Sequence, residues 1–384
     1  SLVVGTSNTV GGTNNIVGGF GHANNDNAIN SLLVGSYNSI DGHDSVALGK
    51  NNTIKGNNAL VGGTGAKVQG NNAIAFGDTA KATSDDAYAI GRKAEATALN
   101  TVAIGNNAKA NNIMGTAIGY NAKAKNDYAT AVGYSSTGSG NQSSAFGFNA
   151  EATAMNTTAV GSYANASGAY STALGFKTVA SNEDSVALGN YSTSAGKSAF
   201  AAGTLANAAE KDSLAIGHSA TTTKENGIAI GTNAMAATDN SIALGAKSVT
   251  ATAVSTNSGV IGGRTYNFAG GNAVGTLSIG DSGAERTITN VAAGRVSATS
   301  TDAVNGSQLH AIKDAVDNHE NRITTIEGDI NTLNNRIING GANSLNEAKS
   351  YTDQQVSSVA AASAALAGLH PLDFDKHDKW SYSV

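Results

Sequence analysis

The groups in this chain able to do acid–base, metal or anion chemistry are few and poorly grouped. Its seven histidines are His22, His43, His218, His310, His319, His370 and His377. No two stand four residues apart, the spacing that turns two imidazoles toward one zinc ion from a helix. His370, Asp373, Asp375, His377 and Asp378 crowd together near the C-terminus. Their types suit a metal but lack the closed geometry of a zinc site, so no metal is expected. The chain has no cysteine, which excludes a disulfide framework and thiolate chemistry. Neither a phosphate-binding loop nor a nucleophile elbow is present, so no cofactor and no catalytic residue is expected. Carboxylates recur at Asp85, Asp86, Asp127, Glu183, Asp184, Asp212, Glu225 and Asp239. A converging pair could cleave a glycosidic bond, but these fall where the chain must bend and read as turn formers.

One set of side chains carries a binding reading. Lys81, Glu95 and Lys109 alternate in sign at a fixed spacing, as in a ladder that stabilises itself. Lys109 and Lys123 then follow as like charges, with Lys125 two residues further on. Lys109, Lys123 and Lys125 read either as a solvated polar face or as a patch that receives an anionic partner, such as a sulfated glycan or an acidic matrix protein.

That spacing is imposed by glycine, which returns every 14 residues from Gly49 to Gly245 without a slip; Gly5, Gly19 and Gly35 belong to less regular turns before it. A strict short period means one supersecondary unit stacked on copies of itself. Two residues before the glycine stands alanine, as in Ala75, Ala89, Ala103 and Ala117, and one before it a bulky apolar residue, as in Phe76, Ile90, Ile104 and Ile118. Because side chains alternate across a strand, alanine and glycine are expected inside and the bulky residue outside. A second short strand alternates small with polar residues, as in Ala94-Glu95-Ala96-Thr97. So short a turn leaves a narrow interior of Ala, Gly and Ser. Stacked about 4.8 Å apart, fifteen turns make an apolar ridge about 70 Å long. No soluble monomer leaves such a stripe in water, so the ridge, including Ile90, Ile104 and Ile118, is expected to pack against copies of itself.

Composition agrees. The chain carries 47 glycines, one proline, 13% charged residues and a net charge of −5, yet its apolar spacing is too regular for a solvated chain. No signal peptide or long apolar helix is evident, and the opening Leu2-Val3-Val4-Gly5 falls mid-pattern, so the chain reads as part of something longer.

After Gly245 the period breaks. Residues 251–285 are rich in Ser, Thr and Gly, with strands expected at Val260-Ile261 and Thr276–Ile279. Then the periodicity becomes helical. Leu309, Ile312, Val316, His319, Ile323, Ile326, Ile330, Leu333 and Ile337 follow at alternating spacings of three and four, a heptad seam. Isoleucine at both a and d disfavours a dimer and shifts preference to trimers or tetramers. Arg322 at g and Glu327 at e are placed to pair between helices. His319 interrupts the seam as a polar layer that fixes register, or as an ion-binding or pH-sensing group. Gly340-Gly341 is expected to end this helix.

Four segments together resemble one family, the trimeric autotransporter adhesins (YadA-like). The head units are similar to its repeat, as in Ser45-Val46-Ala47-Leu48-Gly49 and Ser185-Val186-Ala187-Leu188-Gly189. The run Gly294 to Leu309, with Asp302, Asn305, Gly306 and Gln308, resembles the family's neck. Arg322-Ile323-Thr324-Thr325-Ile326-Glu327 is similar to its trimer-specifying pattern, and Leu366 to Phe374 to the entry of its membrane anchor. The resemblance implies an all-β head, a left-handed parallel β-roll, followed by an α-helical trimeric coiled-coil stalk and an outer-membrane barrel, in an elongated fibrous homotrimer. The expected organisation is a head over 1–250, an inserted β element over 251–285, a neck over 286–308, a stalk over 309–340, a helical segment over 341–369 and the start of the anchor over 370–384. The stalk core is expected at Ile312, Ile323, Ile326, Ile330 and Leu333. The function this implies is non-enzymatic, multivalent adhesion from the bacterial surface, with extracellular matrix proteins or cell-surface glycans as partners and no nucleic acid. A phage-type trimeric fibre or a glycan-processing solenoid is the alternative.

Overall fold

The computed structural model describes residues 1–369. The cluster from His370 to Asp378 and the anchor-like residues after it lie outside the described residues. Two units divide the chain after Ile288.

The first unit is a parallel β-solenoid of about 17 turns. Each turn gives one strand to a 19-stranded sheet and a two-residue strand to a second sheet. The 14-residue period becomes register: Ala89 pairs with Ala103 and Ala103 with Ala117, while Glu95 pairs with Lys109 and Lys109 with Lys123. Identical positions therefore stack into columns. The alanine columns of both strands, including Ala89, Ala96, Ala103 and Ala110, are fully buried.

Glycine does not share that interior. It ends each first strand at a partly exposed corner, with φ between +114° and +142° from Gly49 to Gly245. The column is fixed by backbone conformation and by the carbonyl of the next turn, not by interior space. A second regularity lies in the corners: every seventh residue from Asn72 to Lys247 has positive φ, so each turn is two similar halves of strand and corner. Asn51 and Asn107 occupy such positions, as their side chains favour. Asn52 does something else: its amide is buried.

The early turns also depart from a uniformly narrow interior. Their first strands run five residues, as in Leu32–Ser36 and Leu60–Thr64, against three from Ile74–Phe76 onward. The longer strands make room inside for Val17, Leu33, Ile40, Ile54, Val61 and Val68, all buried. Here a polar ladder crosses the interior. Asn38 Nδ2 donates to the carbonyls of Val34 (3.1 Å) and Gly49 (2.8 Å) while its Oδ1 accepts from the Asn52 amide at 3.1 Å. Asn52 repeats the pattern toward Leu48, Gly63 and Ala66. Every buried polar atom of these two residues is used.

Beyond Gly245 the expected strand at Val260-Ile261 lies in a hairpin, Ser258–Ile261 against Arg264–Asn267, whose second strand was not expected. Leu277-Ser278 then returns to pair with Ile242-Ala243, so only part of 251–285 is an excursion and the rest resumes the solenoid. Arg286 closes this end. Its guanidinium donates to the carbonyl of Ala246 at 2.5 Å, to Ser248 Oγ at 3.1 Å and to the carbonyl of Ile279. It occupies the acceptors that a further turn would have satisfied.

In the second unit a 62-residue helix, Gly306–Ala367, starts at the neck. Asn305 is its N-cap and forms a capping box with Gln308. The helix runs through Gly340-Gly341, where the sequence reading ended it. Glycine lowers helix propensity by about 1 kcal/mol per residue without forbidding the αR backbone. Neither residue adopts the left-handed conformation of a helix stop.

Candidate binding surfaces of the head and stalk

Two outward columns and one seam present the side chains singled out in the sequence, and a third column joins them. The first column precedes the glycine. Phe76, Ile90, Ile104 and Ile118 lie 36–49% exposed on this chain, an unbroken apolar ridge in parallel register. The seam residues Ile312, Ile323, Ile326, Ile330 and Leu333 are likewise 49–59% exposed along their helix. Burying one such side chain is worth about 1.5–3 kcal/mol, so both surfaces are built for apolar partners.

The second column is the outer wall. Glu95 reaches Lys81 at 3.1 Å and Lys109 at 3.0 Å, with its side chain only 21% exposed. The hydrogen bond from Lys109, then that from Lys81, holds the Glu95 carboxyl below the ordinary carboxylate range against the opposing effect of burial. The alternating ladder is therefore real, and it occupies Lys109. Lys123 stands beside Lys109 in register, and among the described residues neither Lys123 nor Lys125 takes part in an ion pair. The structure thus separates the lysine set into one neutralised member and two open ones.

The third column was not foreseen. In six successive turns an aromatic ring follows the column glycine: Tyr120, Tyr134, Phe148, Tyr163, Phe176 and Tyr191. Neighbouring ring centroids lie 5.0–6.3 Å apart in an unbroken chain of contacts, and all six rings are at least one-third exposed. The signal was present in the sequence, but the ring sits one residue after the glycine in four turns and two after it in Tyr163 and Tyr191, which blurs the column.

The acidic bend residues bridge turns: Asp85 accepts from the Asn71 amide at 2.7 Å and Asp127 from the Ile113 amide at 3.1 Å. No grouping of His, Asp and Glu among the described residues is arranged to hold a metal. At the neck, Asp302 accepts from the Arg295 side chain at 2.8 and 3.1 Å, and that pairing holds its carboxyl below the usual range. Asn305 Nδ2 donates to the Val291 carbonyl at 3.1 Å, and Gln308 bonds both backbone groups of Gly294 at 2.9 and 2.6 Å. Asn305 and Gln308 thus fasten the segment before the helix onto its first turn, while Asp302 ties Arg295 within that segment, and Gly306 is the first helical residue. Arg322 and Glu327 lie on the exposed helix surface and form no ion pair among the described residues.

A stacked solenoid with open apolar and polar columns, followed in the chain by a capped helix with an open heptad seam, defines a head-and-stalk fibre protein. The YadA head domain repeat matches at residues 55–80, 82–108, 110–136, 139–164, 166–192, 194–220 and 223–248. The coiled stalk of trimeric autotransporter adhesin matches at 287–332. Together these span well over half of the chain, which belongs to the trimeric autotransporter adhesins. Autotransporter adhesin BtaE of Brucella suis biovar 1 is 59% identical over 71 residues, covering 18% of this chain and 10% of that adhesin. The match therefore spans about a tenth of the relative's length. Among solved structures, the C-terminal YadA-like domain of BPSL2063 from Burkholderia pseudomallei is 44% identical over 27% of this chain and 49% of its own (TM-score 0.27). The collagen-binding domain of Yersinia adhesin YadA is 23% identical over 56% of this chain and 84% of its own (TM-score 0.30). The family is one of adhesins and not of enzymes.

Proposed function

We propose that this chain is the head and stalk of a surface adhesin that assembles as a homotrimer and binds extracellular matrix proteins or cell-surface glycans of a host at many equivalent positions. The observation that carries this reading is the column register: outward side chains repeat turn by turn on a fixed backbone, so three chains offer many weak contacts at high effective concentration. The exposed ridge through Ile90, Ile104 and Ile118 and the seam through Ile323 and Ile326 are the surfaces that assembly covers, with Arg322 and Glu327 pairing between helices. The start of the outer-membrane anchor is assigned to 370–384. No helix among the described residues is long and apolar enough to cross a membrane.

On the wall, Lys123 and Lys125 are the members of the lysine set open to an anionic partner, with Lys109 contributing only as far as Glu95 releases it. Immobilised heparin, collagen and cultured cells test the reading. Changing Lys109, Lys123 and Lys125 together to Gln is expected to weaken heparin retention while three chains per particle persist, and parent binding is expected to fall as salt rises. Salt-independent binding that survives the triple change removes the patch. Absence of any retention on all three surfaces removes the adhesive reading.

A further inference from the structure

The aromatic column and the outer wall meet at a cavity that the lysine patch does not use. Where the ring shifts from one residue after the glycine, at Phe148, to two residues after it, at Tyr163, the ladder turns from near-parallel stacking to edge-on contact at 65°. Beside that shift lies a cavity of about 280 Å³ lined by Asn149, Glu151, Tyr163, Ala164 and Asn165. Asn165, which lines it, keeps its Oδ1 atom shut off from solvent and without a hydrogen-bond partner.

Register explains the orphan. Asn165 stands in its column between Glu151 and Val179. An ionised carboxylate has no proton to give and valine has no polar atom, so neither neighbour can satisfy the amide oxygen. Earlier rungs of the same column place Glu95 between Lys81 and Lys109 and pair it with both. The cavity presents the exposed Glu151 carboxylate and the Asn149 and Asn165 side chains beside an aromatic ring, while the Asn165 oxygen itself is buried. Such a set calls for a ligand rich in donors. A cation is the weaker fit, because the Lys177 ammonium already lies 5.9 Å from the Tyr163 ring centre and 5.4 Å from those of Phe176 and Tyr191, where a second positive charge meets repulsion.

We propose that this cavity, with the aromatic ladder on either side, binds a neutral, hydroxyl-rich sugar chain. Hydroxyl groups donate to Glu151 and meet the amide side chains of Asn149 and Asn165, the C–H face of one sugar rests on Tyr163, and further sugars run along the rings, which recur once per turn. The inference rests on the adhesive reading above and names one ligand class at a place distinct from the lysine patch.

The test uses the whole chain on a printed array of neutral hexasaccharides built from glucose, N-acetylglucosamine or galactose, with sulfated oligosaccharides alongside. Two variants interrogate the site, Tyr163→Ser and Asn165→Val. Serine already occupies the equivalent corner at Ser135 and Ser219, and valine the equivalent wall position at Val179, so the fold accommodates both. Retention of a neutral hexasaccharide is expected, with each variant weakening it at least about tenfold while circular dichroism and subunit number stay as in the parent. Retention that is indifferent to both variants overturns the site. A chain that holds host cells but no neutral sugar overturns the ligand class and leaves the adhesive reading standing, whereas one that holds neither cells, matrix nor any sugar takes the adhesive reading with it. A change in subunit number on Tyr163→Ser makes the ladder a contact between chains and overturns the proposal as well.

Discussion

Gly217→Ala tests the reason for the glycine column. Gly217 has φ +130°, and a Cβ placed there lies 2.6 Å from the carbonyl oxygen of Gly231 and 2.7 Å from its carbon. An L-residue held at such a φ costs about 1–3 kcal/mol. The contact adds to this, because ordinary van der Waals separation begins at 3.4 Å, so the corner must open by about 0.8 Å. The bonds that cross this interface at the corner, Gly231 N–H to the Ile216 carbonyl and Asn233 N–H to the His218 carbonyl, are 2.8 and 2.9 Å long. Opening by that amount carries them past useful hydrogen-bond length, at about 1 kcal/mol apiece. The expected loss is therefore about 3–5 kcal/mol, concentrated at one interface between turns. In a stack stabilised by nearest neighbours such a loss also divides cooperativity. Guanidinium unfolding followed by circular dichroism, at one fixed chain concentration, should show an earlier and broader head transition. Gly341→Ala is the control: it sits in the helix with nothing within 4 Å and should stabilise the helix by about 1 kcal/mol. A Gly217→Ala head within about 1 kcal/mol of the parent would refute the account of the corner.

Three further outcomes follow from the same lattice. Ala103, buried between Ala89 and Ala117, should not accept leucine: overpacking costs about 1–3 kcal/mol, so Ala103→Leu should lower the melting temperature more than Lys109→Leu, and equal effects would reverse the face assignment. Ile323→Asn with Ile326→Asn should loosen stalk association in sedimentation while the head stays folded; an unchanged stalk would mean that the seam is not a packing surface. Glu95 should give acid sensitivity of known sign. Its carboxyl is held below the ordinary 4.5 chiefly by Lys109, so its contribution is complete above about 4.5 and is lost as pH falls through the lowered folded-state value. Glu95→Gln should flatten head stability over that acid range, and an unaltered profile would show that the ladder adds nothing.

What was legible in the sequence is what repetition makes periodic. The alanine columns, the apolar ridge and the heptad seam each recur at constant spacing, so a single count places every member. The elements that escaped belong to positions where a column changes residue type or slips by one. Asn38 and Asn52 carry no signal that sets them apart from the asparagines of the corners, and the longer early strands bring their amides inside. Arg286 carries no periodic signal at all, because it acts once, at the end of the stack. Gly340-Gly341 misled for the opposite reason: a strong local signal for a stop lacked the left-handed backbone that a stop requires.

The same logic explains why the binding chemistry is the hardest part to read. Inside the solenoid each position is held by two neighbours of its own kind, so a change of volume at Ala103 is felt by Ala89 and Ala117 together. On the wall the column runs Lys81, Glu95, Lys109, Lys123, Thr137, Glu151, Asn165, Val179, and the backbone ladder is indifferent to which of these it carries. Chemistry there arises from mismatch between successive rungs. Lys81, Glu95 and Lys109 satisfy one another and leave little for a partner, whereas Lys109 beside Lys123 leaves charge uncompensated and Glu151 beside Asn165 leaves an oxygen unpaired. The rungs that fail to complete their neighbours are the ones open to something outside the chain, and they are found by following register from turn to turn and not by reading along the sequence.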